Sequence, residues 1–195
     1  MKVAVIGAGA MGCRFGAELQ KARNDVVLVD VWEEHVNAIN RNGLKNVGGP
    51  GVEYVTIKAT TDASNVGPVD LVIIFTKTMH TKSAAQSAKA MLGKDTMVLT
   101  LQNGLGKEEV IAEEIEPERI IIGATTYSSD LLGPGEVRYS GAGDIWITTY
   151  TGEETGKLKE VEATFNEAGL TTTISDDALR FVWKKAAFNC AINTL

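Results

Sequence analysis

The chain has 195 residues, 44% hydrophobic and 23% charged, and carries a formal net charge of −6. That length allows one large domain, or one domain and the start of another, with room for a sizeable core. The acidic balance excludes an extended nucleic-acid surface, no apolar stretch reaches the ~18 residues of a membrane span, and residues 1–6 lack the build of a secretory leader, so a cytoplasmic location is expected.

Lys2-Val3-Ala4-Val5-Ile6 reads as a short buried strand that runs directly into Gly7-Ala8-Gly9-Ala10-Met11-Gly12. A G-x-G-x-x-G turn between a strand and a helix is a dinucleotide-binding fingerprint. Gly7 permits the tight exit, Gly9 lets backbone N–H groups approach a pyrophosphate, and Gly12 lets the helix pack on the sheet. The helix expected over Ala10–Ala22 then turns its positive dipole end toward the diphosphate. A second strand, Asp25–Val29, ends in Asp30, near the ~20-residue offset at which an acid meets the ribose hydroxyls. Two readings of Asp30 stand. Its carboxylate accepts from the 2′-hydroxyl of NAD and repels the 2′-phosphate of NADP, or it is a solvated acid that caps the next helix. That helix, Val31–Asn40, carries an inward stripe of Trp32, His35, Val36 and Ile39 and stops at Gly43.

Turn chemistry at Gly48-Gly49-Pro50-Gly51 leads into Val52–Ala59, whose alternation predicts a half-exposed strand in an excursion from the main crossover. Val69–Thr76 is the most continuous apolar run, as a central parallel strand requires, and Lys77 follows its carboxyl end. A helix over Thr81–Leu92, a strand over Met97–Leu101 and the turn Gln102-Asn103-Gly104-Leu105-Gly106 come next. This alternation predicts a doubly wound, Rossmann-type α/β sheet with helices on both faces. Ligands of such sheets bind outside the carboxyl ends of the strands, so the glycine turn, Asp30, Lys77 and Asn103 are expected to gather along one edge. From Ile120 onward the segments IIIGATTY, EVRYS and DIWITTY look hairpin-like around Gly133-Pro134-Gly135 and predict a mixed or antiparallel extension of the sheet.

A helix over Glu153–Ala168, a short strand over Thr171–Ile174 and a Ser175-Asp176-Asp177 cap lead into a last helix that runs to Leu195. It stops in mid-pattern without a Gly, Asn or Pro signal. Residues 1–174 are therefore expected to form the dinucleotide-binding domain, and 175–195 to open a second domain. On a 3.6-residue helix Lys185, Asn189 and Asn193 share one stripe, bordered by Phe181, Phe188 and Ile192 on one side and Val182 and Ala186 on the other. An ammonium with apolar neighbours loses proton affinity and moves toward the range useful for proton donation. The alternative is a lysine that snorkels to solvent beside asparagines bonded to backbone. Lys184, on the opposite side, reads as a surface lysine. Cys13, Cys190, His35 and His80 lie at no metal-ligand spacing, so no disulfide framework and no structural metal are expected, and the thiols should be reduced, buried and unreactive.

GAGAMG at the start, the lysine of FTKT, QNGLG around Asn103, GATTY, PGEVRYSG and the terminal WKKAAFNCAIN occur in one order along the chain. Taken together they resemble the ketopantoate reductase (2-dehydropantoate 2-reductase) family over essentially the whole length. The resemblance implies NAD(P)H-dependent reduction of the 2-oxo acid ketopantoate to pantoate, in pantothenate and coenzyme A biosynthesis. It implies a catalytic role for Lys185, an active-site role for Asn103 beside the cofactor, substrate-pocket positions for Asn189 and Asn193, and a place near cofactor and substrate for Lys77. It also implies an all-helical second domain that supplies a glutamate, and it leaves room for a homodimer. Two positions depart from the family pattern. Thr194 stands where a proline is usual, and Asp30 lies near where a basic residue selects NADPH; the family implies NADPH, whereas Asp30 favours NADH. Two competing readings are a related two-domain dehydrogenase of another 2-oxo or 3-hydroxy acid, and a non-catalytic NAD(H)-sensing module that needs the glycine turn alone.

Overall fold

A computed structural model describes residues 1–193, apart from the side chains of Leu179, Ala186 and residues 188–193. In chain order the strands are β1 (Lys2–Ile6), β2 (Asp25–Val29), β3 (Leu44–Asn46), β4 (Glu53–Val55), β5 (Lys58–Thr60) and β6 (Val69–Ile74). They continue with β7 (Leu92–Thr100), β8 (Ile120–Thr125), β9 (Asp130–Gly133), β10 (Glu136–Arg138), β11 (Ile145–Thr149) and β12 (Thr172–Ile174). The helices are α1 (Ala10–Lys21), α2 (Glu33–Asn42), α3 (Thr81–Ala88), α4 (Lys107–Ala112), α5 (Gly156–Glu167) and α6 (Ala178–Asn193).

An eight-stranded sheet runs in the order β12-β11-β8-β7-β6-β1-β2-β5. It is parallel from β5 through β8, while β11 is antiparallel to β8 and β12 parallel to β11. The chain first winds outward from β1 through β2 and then crosses back to β6, so the switch point lies between β1 and β6. Successive residues of these two strands enter opposite layers. Val3, Val5, Leu71 and Ile73 pack with Phe15, Leu19, Val36 and Phe165 beneath α1, α2 and α5. Ala4, Ile6, Val72 and Ile74 pack with Ala84, Ala88, Met91 and Ile111 beneath α3 and α4. Burial on both faces explains why Leu71–Ile74, beyond the exposed Asp70, is an unbroken apolar run rather than an alternating one.

A four-stranded sheet, β4-β3-β10-β9, lies against α1. It accounts for most departures from the expected elements. The run Val52–Ala59 is two strands: β4 joins the small sheet, whereas β5 closes the main sheet beside β2. IIIGATTY contributes β8, a parallel neighbour of β7, and the antiparallel extension begins only at β11. The turn at Gly133-Pro134-Gly135 does join a hairpin, β9–β10, but that hairpin belongs to the small sheet. Turn residues specify a local reversal and carry no information on which sheet receives it. Trp32 is 39% exposed rather than inward, and its ring lies flat over His35 at 5.3 Å. No helix among the described residues is long and apolar enough to cross a membrane.

Candidate active site

The exits of β1 and β6 touch. Gly7 has φ +94°, and a Cβ there would meet Thr76 N at 2.7 Å. A Cβ on Gly12 would lie 2.0 Å from the Gly7 carbonyl oxygen, so only glycine lets α1 pack this close to the turn. Gly9 is the opposite case, since a Cβ there would meet nothing within 4 Å. Gly9 caps α1 without a side-chain bond, and the first turn carries no acid. Its N–H groups therefore have no intrahelical partner and leave a positive helix end above the strand exits.

Two cavities adjoin here and share Phe75, Thr76 and Lys77 as a common wall. One, of about 380 Å³, is lined by Gly7, Gly9, Asp30, Val31 and His80. The other, of about 480 Å³, is lined by Met11, Asn103, Tyr127 and Lys185. The fold thus brings Gly7, Gly9, Met11, Asp30, Lys77 and Asn103 to one edge of the sheet, as the strand ends implied, with Lys185 on the wall of the second cavity. Ala8, Ala10 and Gly12 line neither cavity; they frame the turn. Asp30 lines the first cavity and accepts from the Trp32 N–H at 3.0 Å through Oδ1, a turn just ahead of α2; it does not cap the helix, whose N-cap carries no side-chain bond. Two spaces astride an uncapped helix end, opened by the missing Cβ of Gly9, have the shape and donor set that a dinucleotide requires.

Lys185 reaches the second cavity from α6, which packs on β8 and β11. Phe181 stacks on Trp146 at 4.3 Å and anchors the first turns of that helix. The Lys185 Nζ donates to the Thr125 carbonyl at 2.5 Å, at the carboxyl end of β8. Burial first, and then the positive charge of Lys107, hold its pKa below the ordinary lysine value. Lys184 is exposed, with its Nζ 5.5 Å from the Phe181 ring centroid. The side chains of Asn189 and Asn193, and the whole of Thr194, lie outside the described residues.

Sequence reasoning passed over Gln102. Its buried amide donates to the Thr76 carbonyl at 2.6 Å and to Thr81 Oγ1 at 3.0 Å, while Oε1 accepts from Thr100 Oγ1 at 3.0 Å. Thr78 Oγ1 donates in turn to the Asn103 carbonyl at 3.3 Å. The ends of β6 and β7, and with them Lys77 and Asn103, are thereby tied together. A polar amide directly after an apolar strand was the available signal. Lys107 is also buried, and its Nζ donates to the Gly104 carbonyl at 3.0 Å.

Cys13 and His35, distant in sequence, meet beneath the glycine turn. The thiol donates to the Ala8 carbonyl at 3.0 Å and lies 3.5 Å from His35 Nε2, and His35 Nδ1 accepts from the Gly135 N–H at 2.9 Å. Burial, with a smaller contribution from Asp30, pushes the Cys13 thiol far up. Among the described residues no group of three or more His, Cys, Asp or Glu stands ready to hold a metal.

The family described as ketopantoate reductase PanE/ApbA matches residues 3–152. The 2-dehydropantoate 2-reductase of Streptococcus pyogenes serotype M3 is 38% identical over 194 residues, a match that covers 100% of this chain and 63% of that protein. Among solved structures, 2-dehydropantoate 2-reductase from Geobacter metallireducens GS-15 superposes with a TM-score of 0.89 at 35% identity, over 97% of this chain and 62% of that one. The ternary structure of D-mandelate dehydrogenase with NADH and anilino(oxo)acetate superposes equally, with a TM-score of 0.89 at 35% identity over 97% of this chain and 61% of that one. The chain spans less than two thirds of the length of these relatives. A glycine turn at the switch point of a parallel sheet, the lysine on α6 and a family match over most of the sequence agree: the chain belongs to the ketopantoate reductase PanE/ApbA family.

Proposed function

We propose that this chain binds a nicotinamide dinucleotide along the cleft and supplies the proton donor for reduction of a 2-oxo acid, with ketopantoate as substrate and pantoate as product. The observation that carries this reading is the position of Lys185, whose amine shares a cavity with Asn103 and Lys77 at the carboxyl ends of the strands. A reduced nicotinamide, held between the glycine turn and the wall of Lys77 and Asn103, would supply hydride to the ketone carbon. Negative charge then builds on the ketone oxygen, where Lys185 stabilises it and delivers a proton; a depressed pKa eases that transfer. Asn103, held through Thr78 and flanked by Gln102, orients the reacting groups. Lys77 stands between the two cavities, and the one that holds Lys185 has no Asp or Glu on its walls among the described residues, which suits an anionic substrate. Asn189 and Asn193, one and two turns beyond Lys185 on α6, are assigned to the substrate side. Residues 1–174 are assigned to the dinucleotide domain and 175–195 to the helix that opens a second, helical domain.

A second reading has its own support. The likeness to D-mandelate dehydrogenase with NADH favours a different 2-oxo acid, and Asp30 on the wall of the first cavity favours NADH over NADPH. Side-by-side titration of the chain with NADH and NADPH tests the site: tighter NADH is expected, tighter NADPH overturns the argument from Asp30, and binding of neither overturns the site. Turnover of the full-length protein on a panel of 2-oxo acids separates ketopantoate from its rivals.

A further inference from the structure

Arg14, in the second turn of α1, is 4% exposed, a rare state for a guanidinium. No carboxylate pairs with it among the described residues. Instead Nη1 donates to the carbonyls of Ser128 at 2.6 Å and Ser140 at 3.3 Å, and Nη2 donates to the carbonyl of Gly141 at 2.7 Å. The guanidinium lies 4.5 Å from the Tyr127 ring centroid and 5.1 Å from that of Tyr139. Every one of these partners is more than a hundred residues away in sequence. A planar fork clamped between two rings and bonded to carbonyls on two separate segments holds its partners in one geometry, which a point charge on a flexible stem does not do.

The position of the clamp gives it a consequence for the site. Tyr127, Ser128 and Ser129 form one wall of the cavity that contains Lys185 and Asn103. They follow β8 as irregular chain before β9 begins, so no ladder bonds fix Ser128 and Ser129. Arg14 ties this wall to α1, the helix whose amino end caps the glycine turn four residues before it. The phosphate cradle and the far wall of the second cavity are thus joined through one side chain.

We propose that Arg14 is a positioning residue that sets the nicotinamide-side wall of the cleft relative to the diphosphate cradle. This inference rests on the dinucleotide reading of the cleft. It goes further in assigning the residue to one half of the ligand: the adenosine and diphosphate need the glycine turn and the Asp30 side, whereas the nicotinamide needs the wall that Arg14 holds.

The test is calorimetric titration of the chain and of its Arg14→Ala and Arg14→Lys variants with NADH and with ADP-ribose, which lacks the nicotinamide. Circular dichroism checks the fold of each. Arg14→Ala is expected to weaken NADH about tenfold while ADP-ribose stays within about twofold, because charge-assisted bonds to the wall are lost and the cradle is untouched. Arg14→Lys keeps the cation but not the fork and should lose an intermediate factor, about threefold, for NADH alone. If Arg14→Ala does not fold, Arg14→Lys decides. Equal weakening of both ligands, or no change in either for a folded variant, overturns the positioning role. Failure of the parent chain to bind NADH overturns the dinucleotide reading itself and is distinguished by that first titration.

Discussion

Gly9→Ala separates folding from ligand binding in a way that neither Gly7 nor Gly12 allows. At φ −70° and ψ −167° the Gly9 backbone is open to any residue, and its added Cβ would meet nothing within 4 Å. The folding cost is then only that of alanine at a helix N-cap, about 1 kcal/mol, or about 2–4 °C in melting temperature for a chain of this size. The ligand experiences the methyl differently. A diphosphate bonded to the first-turn N–H groups must occupy the space the Cβ fills, and overpacking of one methyl into a fixed contact costs about 1–3 kcal/mol, or about 5- to 150-fold in Kd. Gly12→Ala is the control. Its Cβ would sit 2.0 Å from a backbone oxygen, so the turn must move, and both stability and binding should fall. Thermal denaturation followed by circular dichroism and titration with NADH by nicotinamide fluorescence read the two effects. A folded Gly9→Ala chain that binds NADH within about twofold of the parent would refute the placement of the diphosphate at this helix end.

Lys185→Met should reduce turnover of the full-length protein by about 10²- to 10⁴-fold while the chain's NADH affinity stays within about threefold. Because burial and Lys107 both disfavour its ammonium, kcat/KM of the parent should decline on the alkaline side at a lower pH than an ordinary lysine gives; a decline only near the ordinary value sinks the proton-donor role. His35 carries a stability signal of defined sign. Burial holds its folded pKa below the ordinary 6.5, so the unfolded chain takes up a proton first. Its contribution is complete above that value and falls as pH drops through the folded pKa, by up to about 1.4 kcal/mol per pH unit. His35→Gln keeps an acceptor for the Gly135 N–H and should flatten the drop in urea midpoint between neutral and mildly acidic pH; an undiminished drop counts against the assignment.

Much of the architecture was legible because the main sheet writes its geometry into local sequence. Burial on both faces makes Leu71–Ile74 of β6 an apolar run, the strand-to-helix glycine turn marks β1, and Asp30, Lys77 and Asn103 each follow the end of a parallel strand. Parallel topology then brings them together without any contact being read from sequence. What escaped notice depends on the small sheet. Arg14, Glu18 and Lys21 fall on one stripe of α1 and drew no attention in the sequence, yet Arg14 is buried beside the small sheet, and Lys21 meets Glu53 of β4 at 3.3 Å. Likewise His35 looked isolated because its partners, Cys13 and the Gly135 N–H, arrive from another helix and a distant hairpin. Trp32 fitted the inward stripe by spacing alone, but it sits at the helix entry, where it shields His35 from outside. Helical period specifies a face; it does not specify which faces a second sheet will cover.

Under the proposed function, the seat of α6 on β8 and β11 bears on how a catalytic cycle would be gated. Because the Lys185 amine is moored to the backbone of the same sheet that carries the glycine turn, the donor and cradle proposed above would travel as one piece during any hinge motion over the cleft. Alignment of acid and reductant would then be settled before substrate arrives, leaving closure to select the incoming keto acid and exclude solvent rather than to assemble the proton donor.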